Sequence, residues 1–151
     1  LFDPANPMLS DVITKNGSDK AIKIAFVIDK GLNDCQPELI GKIENYVSKH
    51  EKINMACPPL IVLGGEETKN STEEFVKTLS MVNDAKIDRH AFVIAIGGGA
   101  VLDMVGFAAA IAHRGIRHMM PWKNWYLIAL SYIQIIYPIA MIHLKWAHQD
   151  L

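Results

Sequence analysis

Six consecutive apolar residues, Ala91 to Ile96, run straight into three glycines at positions 97–99, and 13 residues follow from Ala100 to Ala112, all small or apolar except Asp103. A buried strand, a turn with no side chains and a helix opening directly from it form a narrow set of folds. Continuous apolarity over a strand length means cover on both faces, the habit of parallel sheets. Glycines at the exit let the chain turn sharply and let another molecule approach the backbone at the positive end of the helix.

The upstream sequence repeats the alternation. Residues 22–29 (IKIAFVID) are β-rich and end in a carboxylate, Asp29, with a loop expected at Gly31, Asn33 and Asp34. Pro37 suits a first helical turn, and Leu39, Ile40, Ile43, Tyr46 and Val47 then recur at helical spacing to about His50. Residues 60–63 (LIVL) form a second short strand between Pro58-Pro59 and Gly64-Gly65. Ser71 and Glu74 have the spacing of a capping box for a helix whose inner face is expected to carry Phe75, Val76, Leu79 and Val82. Residues 1–20, punctuated by Pro4, Pro7 and Gly17, promise little structure. Strand, helix, strand, helix, strand, glycine turn and helix predict an open parallel α/β sheet with helices on both faces.

Ligands of such sheets bind at the carboxyl ends of the strands. Three groups of residues fall there. Gly98, Gly99 and Ala100 offer backbone N–H groups, and Asp103, expected in the first helical turn, offers a carboxylate to a ligand hydroxyl or amide. Glu66, Glu67 and Lys69 follow the second strand, where carboxylate and ammonium suit ribose and phosphate. Asp29 ends the first. Each also has a plain structural reading: a tight turn, a solvated loop, a turn former. The glycine spacing is not the GxGxxG dinucleotide fingerprint. A net charge of −1 argues against nucleic acid as a partner. Cys35 and Cys57, with no CxxC spacing, fit isolated thiols in a reducing, cytoplasmic setting.

Taken jointly, Ile96-Gly97-Gly98-Gly99, Asp103, Gly106-Phe107-Ala108-Ala109-Ala110 and Arg114-Gly115-Ile116 resemble the core motif of 3-dehydroquinate synthases and related sugar-phosphate cyclases. Gly65-Glu66-x-x-Lys69, the strand ending at Asp29 and the opening Phe2-Asp3 with Asn6-Pro7-x-Leu9 resemble that family's other N-terminal motifs. The resemblance covers residues 1–118. It implies a Rossmann-like nucleotide-binding domain, NAD as cofactor, a divalent metal such as zinc, a sugar-phosphate substrate, a homodimeric complete enzyme, and phosphate elimination followed by carbocycle formation. By the same resemblance Asp29 contacts the adenosine side with Lys30-Gly31. Glu66, Glu67 and Lys69 hold ribose and phosphate, and Gly98, Gly99, Ala100 and Asp103 hold the pyrophosphate and the nicotinamide ribose. Arg114 binds substrate phosphate. Lys30-Gly31-Leu32 departs from the family's Asp-x-Asn pattern. Glycerol and iron-dependent alcohol dehydrogenases share the glycine run and the aspartate but not the Gly106-Phe107 and Arg114-Gly115 features. A nucleotide-binding or membrane-tethered remnant without catalysis is the non-enzymatic alternative.

Residues 119–151 break the pattern. Only Lys123, Lys145 and Asp150 are charged there, all three Trp lie there, and residues 125–144 carry no charge. The family's next segment, its catalytic lysines and its helical, metal-binding domain are not recognisable in this stretch, so no catalytic and no metal residue is assigned, and the chain is expected to be inactive alone. Residues 125–144 read either as a gene-structure artefact, as a membrane segment long enough for a bilayer core, or as a buried helix. The compositional break predicts poor packing onto the domain that precedes it.

Overall fold

The computed structural model describes residues 2–15, 21–65, 72–112 and 116–120. Every strand pair among them is parallel. The central strand is β1, Ile22–Asp29. On one side it pairs with β4, Phe92–Ile96, which in turn pairs with β5, Arg117–Met119. On the other side two short strands follow one another along the same edge. The first half of β1, Ile22 to Ile24, pairs with β2, Ile53–Met55, and its second half, Val27 to Asp29, pairs with β3, Leu60–Val62. Pro58 and Pro59 fall in the gap between β2 and β3. A proline has no N–H to give to a ladder, so the edge strand breaks there and resumes.

Side chains of β1 and β4 alternate between two interiors. Ile24, Phe26 and Ile28 join Phe92, Ile94 and Ile96 on one face, under α1 (Met8–Thr14) and α3 (Leu39–Lys49). Ala25, Val27, Val93 and Ala95 line the opposite face under α4 (Thr72–Asp84) and α5 (Gly99–Ala112). Large residues face α3 and small ones face α5. The small side of the sheet, met by Ala108 and Ala109, allows α5 to lie close to the strands. Burial of apolar surface on both faces is what holds the layers together, at roughly 25 cal/mol per Å².

The expected strands, helices and parallel order are all present, and the glycine run leads from β4 into α5 at the carboxyl edge. Four expectations need correction. Residues 1–20 contain α1, whose Leu9, Ser10 and Ile13 are buried. Its seven residues are too few to stand alone, and tertiary contacts hold them. The fully buried Tyr46 hydroxyl donates to the Asn6 carbonyl (3.1 Å) and accepts from the Ser10 N–H (3.0 Å). Phe2 meets Phe26 and Tyr46 edge-on. The loop expected after Asp29 is instead a short helix, α2 (Lys30–Cys35), capped by Asp29 itself. On α4 the inner face carries Glu74, Thr78 and Val82, while Val76 is half exposed. Glu74 does not simply serve its own helix end. Its Oε2 accepts from the Leu63 N–H (3.2 Å) and its Oε1 from Lys77 Nζ (2.9 Å), tying α4 to the exit of β3. Finally, the three-residue β2 was not legible as an apolar run.

Strand β5 spans the compositional boundary at 118/119. Ser71 and residues 121–151, with the 125–144 segment, lie outside the described residues. Among those described, no helix is long and apolar enough to cross a membrane.

Candidate nucleotide site

Three strand ends converge on one carboxylate. Asp29 closes β1 in an extended conformation (φ −60°, ψ 126°), and its Oδ1 accepts from the Gly31 N–H at 2.8 Å. That bond caps α2 and fixes the side chain. Its Oδ2 lies 3.5 Å from the Gly98 N–H, at the outer limit of a hydrogen bond. Gly64, two residues past β3, packs so closely that a methyl group there would overlap the carboxylate. A Cβ on Gly97, directly after β4, would stand 2.7 Å from Asp29 Cβ and 3.3 Å from Val101 Cβ. Glycine is therefore required at 64 and 97 by close approach. Gly65 needs it for another reason, its left-handed φ of +70°.

Beyond this contact α5 begins. The Leu102 N–H reaches back to the Gly98 carbonyl at 3.1 Å, so the first N–H groups of the helix, those of Gly99, Ala100 and Val101, have no carbonyl of their own helix to bond. Gly98 and Gly99 are exposed and Ala100 partly so. An anion at this point gains both unpaired donors and the positive end of a 14-residue helix. The site thus pairs a fixed acceptor, Asp29, with a row of donors, a combination suited to a ribose hydroxyl beside a phosphate.

Asp103 is the fifth residue of α5, not in its first turn as expected, because the helix starts at Gly99 rather than further along. Its carboxylate is exposed. Lys30 turns away from the site to pair with Asp34 in an exposed i,i+4 bridge of 2.6 Å, which raises its pKa through the hydrogen bond and the charge of Asp34. The structure therefore brings Asp29, Gly98, Gly99 and Ala100 together and sets Asp103 one turn along the helix. Glu66, Glu67, Lys69 and Arg114 lie outside the described residues. Sequence reasoning missed the contacts of Gly64 and Gly97 with Asp29. Their signal was present, since glycines ended both strands. A groove of about 580 Å³ along α4, lined among others by Leu60, Val76 and Met81, shares no residue with this site.

The strand order and the helices on both faces define a class of fold: an open parallel α/β sheet similar to that of sugar-phosphate cyclase structures. A crystal structure of 2-deoxy-scyllo-inosose synthase superposes with a TM-score of 0.55 at 22% identity, covering 75% of this chain and 30% of that one. A second superposes on 2-epi-5-epi-valiolone synthase from Streptomyces hygroscopicus subsp. jinggangensis, a structure with NAD+ and Zn2+ bound, with a TM-score of 0.52 at 23% identity, covering 79% and 28%. Residues 59–121 match the family model described as 3-dehydroquinate synthase N-terminal. The 3-dehydroquinate synthase of Pyrobaculum islandicum is 45% identical over 61 residues, 40% of this chain and 18% of the relative. That of Rhizobium johnstonii is 35% identical over 71 residues, 47% and 19%. Over residues 59–121 the chain is similar to the N-terminal part of 3-dehydroquinate synthases, and its fold is similar to that of sugar-phosphate cyclase structures. The matched segments span about a fifth of those curated relatives. The family match includes Gly64, the glycine turn and Asp103, and it excludes Asp29.

Proposed function

We propose that this chain is the NAD-binding part of a sugar-phosphate cyclase of the 3-dehydroquinate synthase type, a lyase that eliminates phosphate and closes a carbocycle. The observation that carries this reading is the Asp29 carboxylate held between Gly64 and Gly97 at the mouth of α5. The residues fit the cofactor. Gly98 and Gly99 leave open space beside the backbone that a side chain would fill, Asp29 supplies an acceptor for a ribose hydroxyl, and the N–H groups of Gly99 and Ala100 face the place of a pyrophosphate. Glu66, Glu67 and Lys69 belong to the same proposal through the family motif, and Arg114 is assigned to substrate phosphate. When bound, NAD supplies a temporary acceptor for hydride. The protein's own part is to orient it by these contacts.

A divalent metal is a different matter. Among the described residues no three of His, Cys, Asp and Glu cluster as metal ligands. These residues give a metal no seat, and no step is derived through one. We assign residues 1–118 to the nucleotide domain, with β5 crossing its end, a cytoplasmic location, and turnover to a complete, dimeric enzyme. The family match across the glycine turn and Gly106-Phe107 favours this reading over the glycerol dehydrogenase alternative.

Saturation-transfer NMR with NAD+ tests it. The ribose protons should receive saturation in the parent chain and lose it in Asp29→Ala. A phosphate-release assay with the seven-carbon sugar-phosphate acid should stay at background for the chain alone. Transfer unchanged by Asp29→Ala, or metal-dependent phosphate release, would refute the assignment.

A further inference from the structure

One partly buried imidazole lies beneath the helix that carries the site. His118 is the middle residue of β5, opposite Val93 in the parallel register, on the sheet face covered by α5. A Cβ on Gly106 would lie 3.0 Å from its Cε1 and 3.3 Å from its Nδ1. The helix backbone therefore packs tightly on the ring, closest at Cε1, and a side chain at position 106 would make the ring or the helix give by a few tenths of an ångström. Its Nε2 is buried and has no hydrogen-bond partner among the described residues. Gly106 stands one helical turn from Asp103, and α5 carries no other charged side chain.

We propose that His118 is a positioning residue for α5: its ring, seated against Gly106, sets how closely the helix lies on β4 and β5, and thereby where the Gly98-to-Asp103 segment stands. In its consequence for ligand binding this rests on the nucleotide reading above; in its geometry it does not. A helix is stiff over the eight residues from Gly99 to Gly106, so a displacement at the seat is carried to the turn. Tight packing transmits it rather than absorbing it.

The seat works with a neutral ring. Burial pushes the His118 pKa down to about 4, against an opposing upward pull from Asp103. No other charge on the packed elements offsets this. Strand β4 has none, and the Arg117 guanidinium beside His118 lies over the Phe92 ring, 5.1 Å from its centroid. His113 and Arg114, in the connection from α5 to β5, lie outside the described residues. Protonation would put a second N–H where Nε2 has no acceptor, and the seam between β5 and α5 would loosen as pH falls.

The test is NMR on the full chain, with NAD+ titrations in parallel. The His118 ring should titrate near 4, and lower still in Asp103→Asn, which removes the charge that favours the protonated form. Gly106→Ala should shift the Gly98 and Gly99 amides and weaken NAD+ binding by about tenfold, a change of about 1.4 kcal/mol. Adding His118→Ala to Gly106→Ala should restore both. His118→Leu keeps the volume without the titration. It should hold the parent amide shifts at pH 7 and abolish their change between pH 6.5 and 4, and this variant decides the matter if Gly106→Ala does not fold. A His118 midpoint near 6.5, or Gly98 and Gly99 amides that ignore the seat variants, overturns the proposal. Absence of NAD+ binding in the parent chain refutes the proposed function alone, because the amide shifts still report on the seat.

Discussion

Adding one methyl group at Gly64 and at Gly97 should destabilise the domain for different reasons, and Asp29 tells the two apart. At Gly64 the methyl overlaps the Asp29 carboxylate. That group cannot simply swing aside, because its Oδ1 is engaged with the Gly31 N–H at 2.8 Å. At Gly97 the obstacle is Asp29 Cβ at 2.7 Å, an atom fixed by the backbone of β1, with Val101 Cβ at 3.3 Å behind it. Overpacking of this kind costs about 1–3 kcal/mol. Asp29→Ala alone removes the cap of α2 and should cost about 1 kcal/mol. In the Asp29→Ala background the carboxylate is gone but Cβ remains. Gly64→Ala should then be nearly free, a coupling of at least about 1 kcal/mol, whereas Gly97→Ala should cost as much as before. Urea denaturation of the five variants and the parent measures each midpoint. Equal penalties for Gly64→Ala with and without the Asp29 carboxyl group would refute the claim that Asp29 fills the space between the strand ends.

Two further predictions concern the frame around the site. Tyr46→Phe strips the part-buried Asn6 carbonyl and the buried Ser10 N–H of their shared partner, and should cost about 1–3 kcal/mol while hydrogen exchange rises first in α1. Acid should destabilise the domain through His118. Its folded pKa of about 4 lies below the ordinary 6.5, so the unfolded chain binds the proton more readily. The stabilising contribution of the neutral ring is complete above pH 6.5 and is lost as pH falls from 6.5 through 4. At full effect that is about 3 kcal/mol, less for the part of the ring that solvent reaches. Denaturation midpoints across this range should fall more steeply in the parent than in His118→Leu, and equal slopes would count against it.

Much of this architecture was legible because its signals are local and redundant. The apolar runs at 22–29 and 91–96 state a doubly covered strand, and the glycines at 97–99 place the turn. What escaped was decided by tertiary contact. Helix α1 depends on the Tyr46 hydroxyl, 36 residues from Ser10. Helix α2 follows from the cap that Asp29 makes, whereas Gly31, Asn33 and Asp34 read as loop formers by type. The inner face of α4 includes the polar Glu74 and Thr78 because Glu74 answers the Leu63 N–H at the end of β3 and the Thr78 hydroxyl donates to the Glu74 carbonyl. Apolar periodicity could not foresee that face. In the site, residue types pointed to Asp29, Gly98, Gly99, Ala100 and Asp103. That Gly64 and Gly97 pack on Asp29, and that His118 lies under Gly106, are contacts between distant segments which spacing does not encode.

The central claim is that the strand ends around Asp29 and the start of α5 bind a dinucleotide. Isothermal titration calorimetry of the full chain with NAD+ tests it most directly. Saturable one-to-one binding is expected, weakened at least about tenfold by Asp103→Ala and by Asp29→Ala, with Lys23→Ala, on the exposed polar position of β1 away from the strand ends, leaving it unchanged. Absence of heat with NAD+ at millimolar concentration, or binding that both aspartate variants leave intact, would contradict the account.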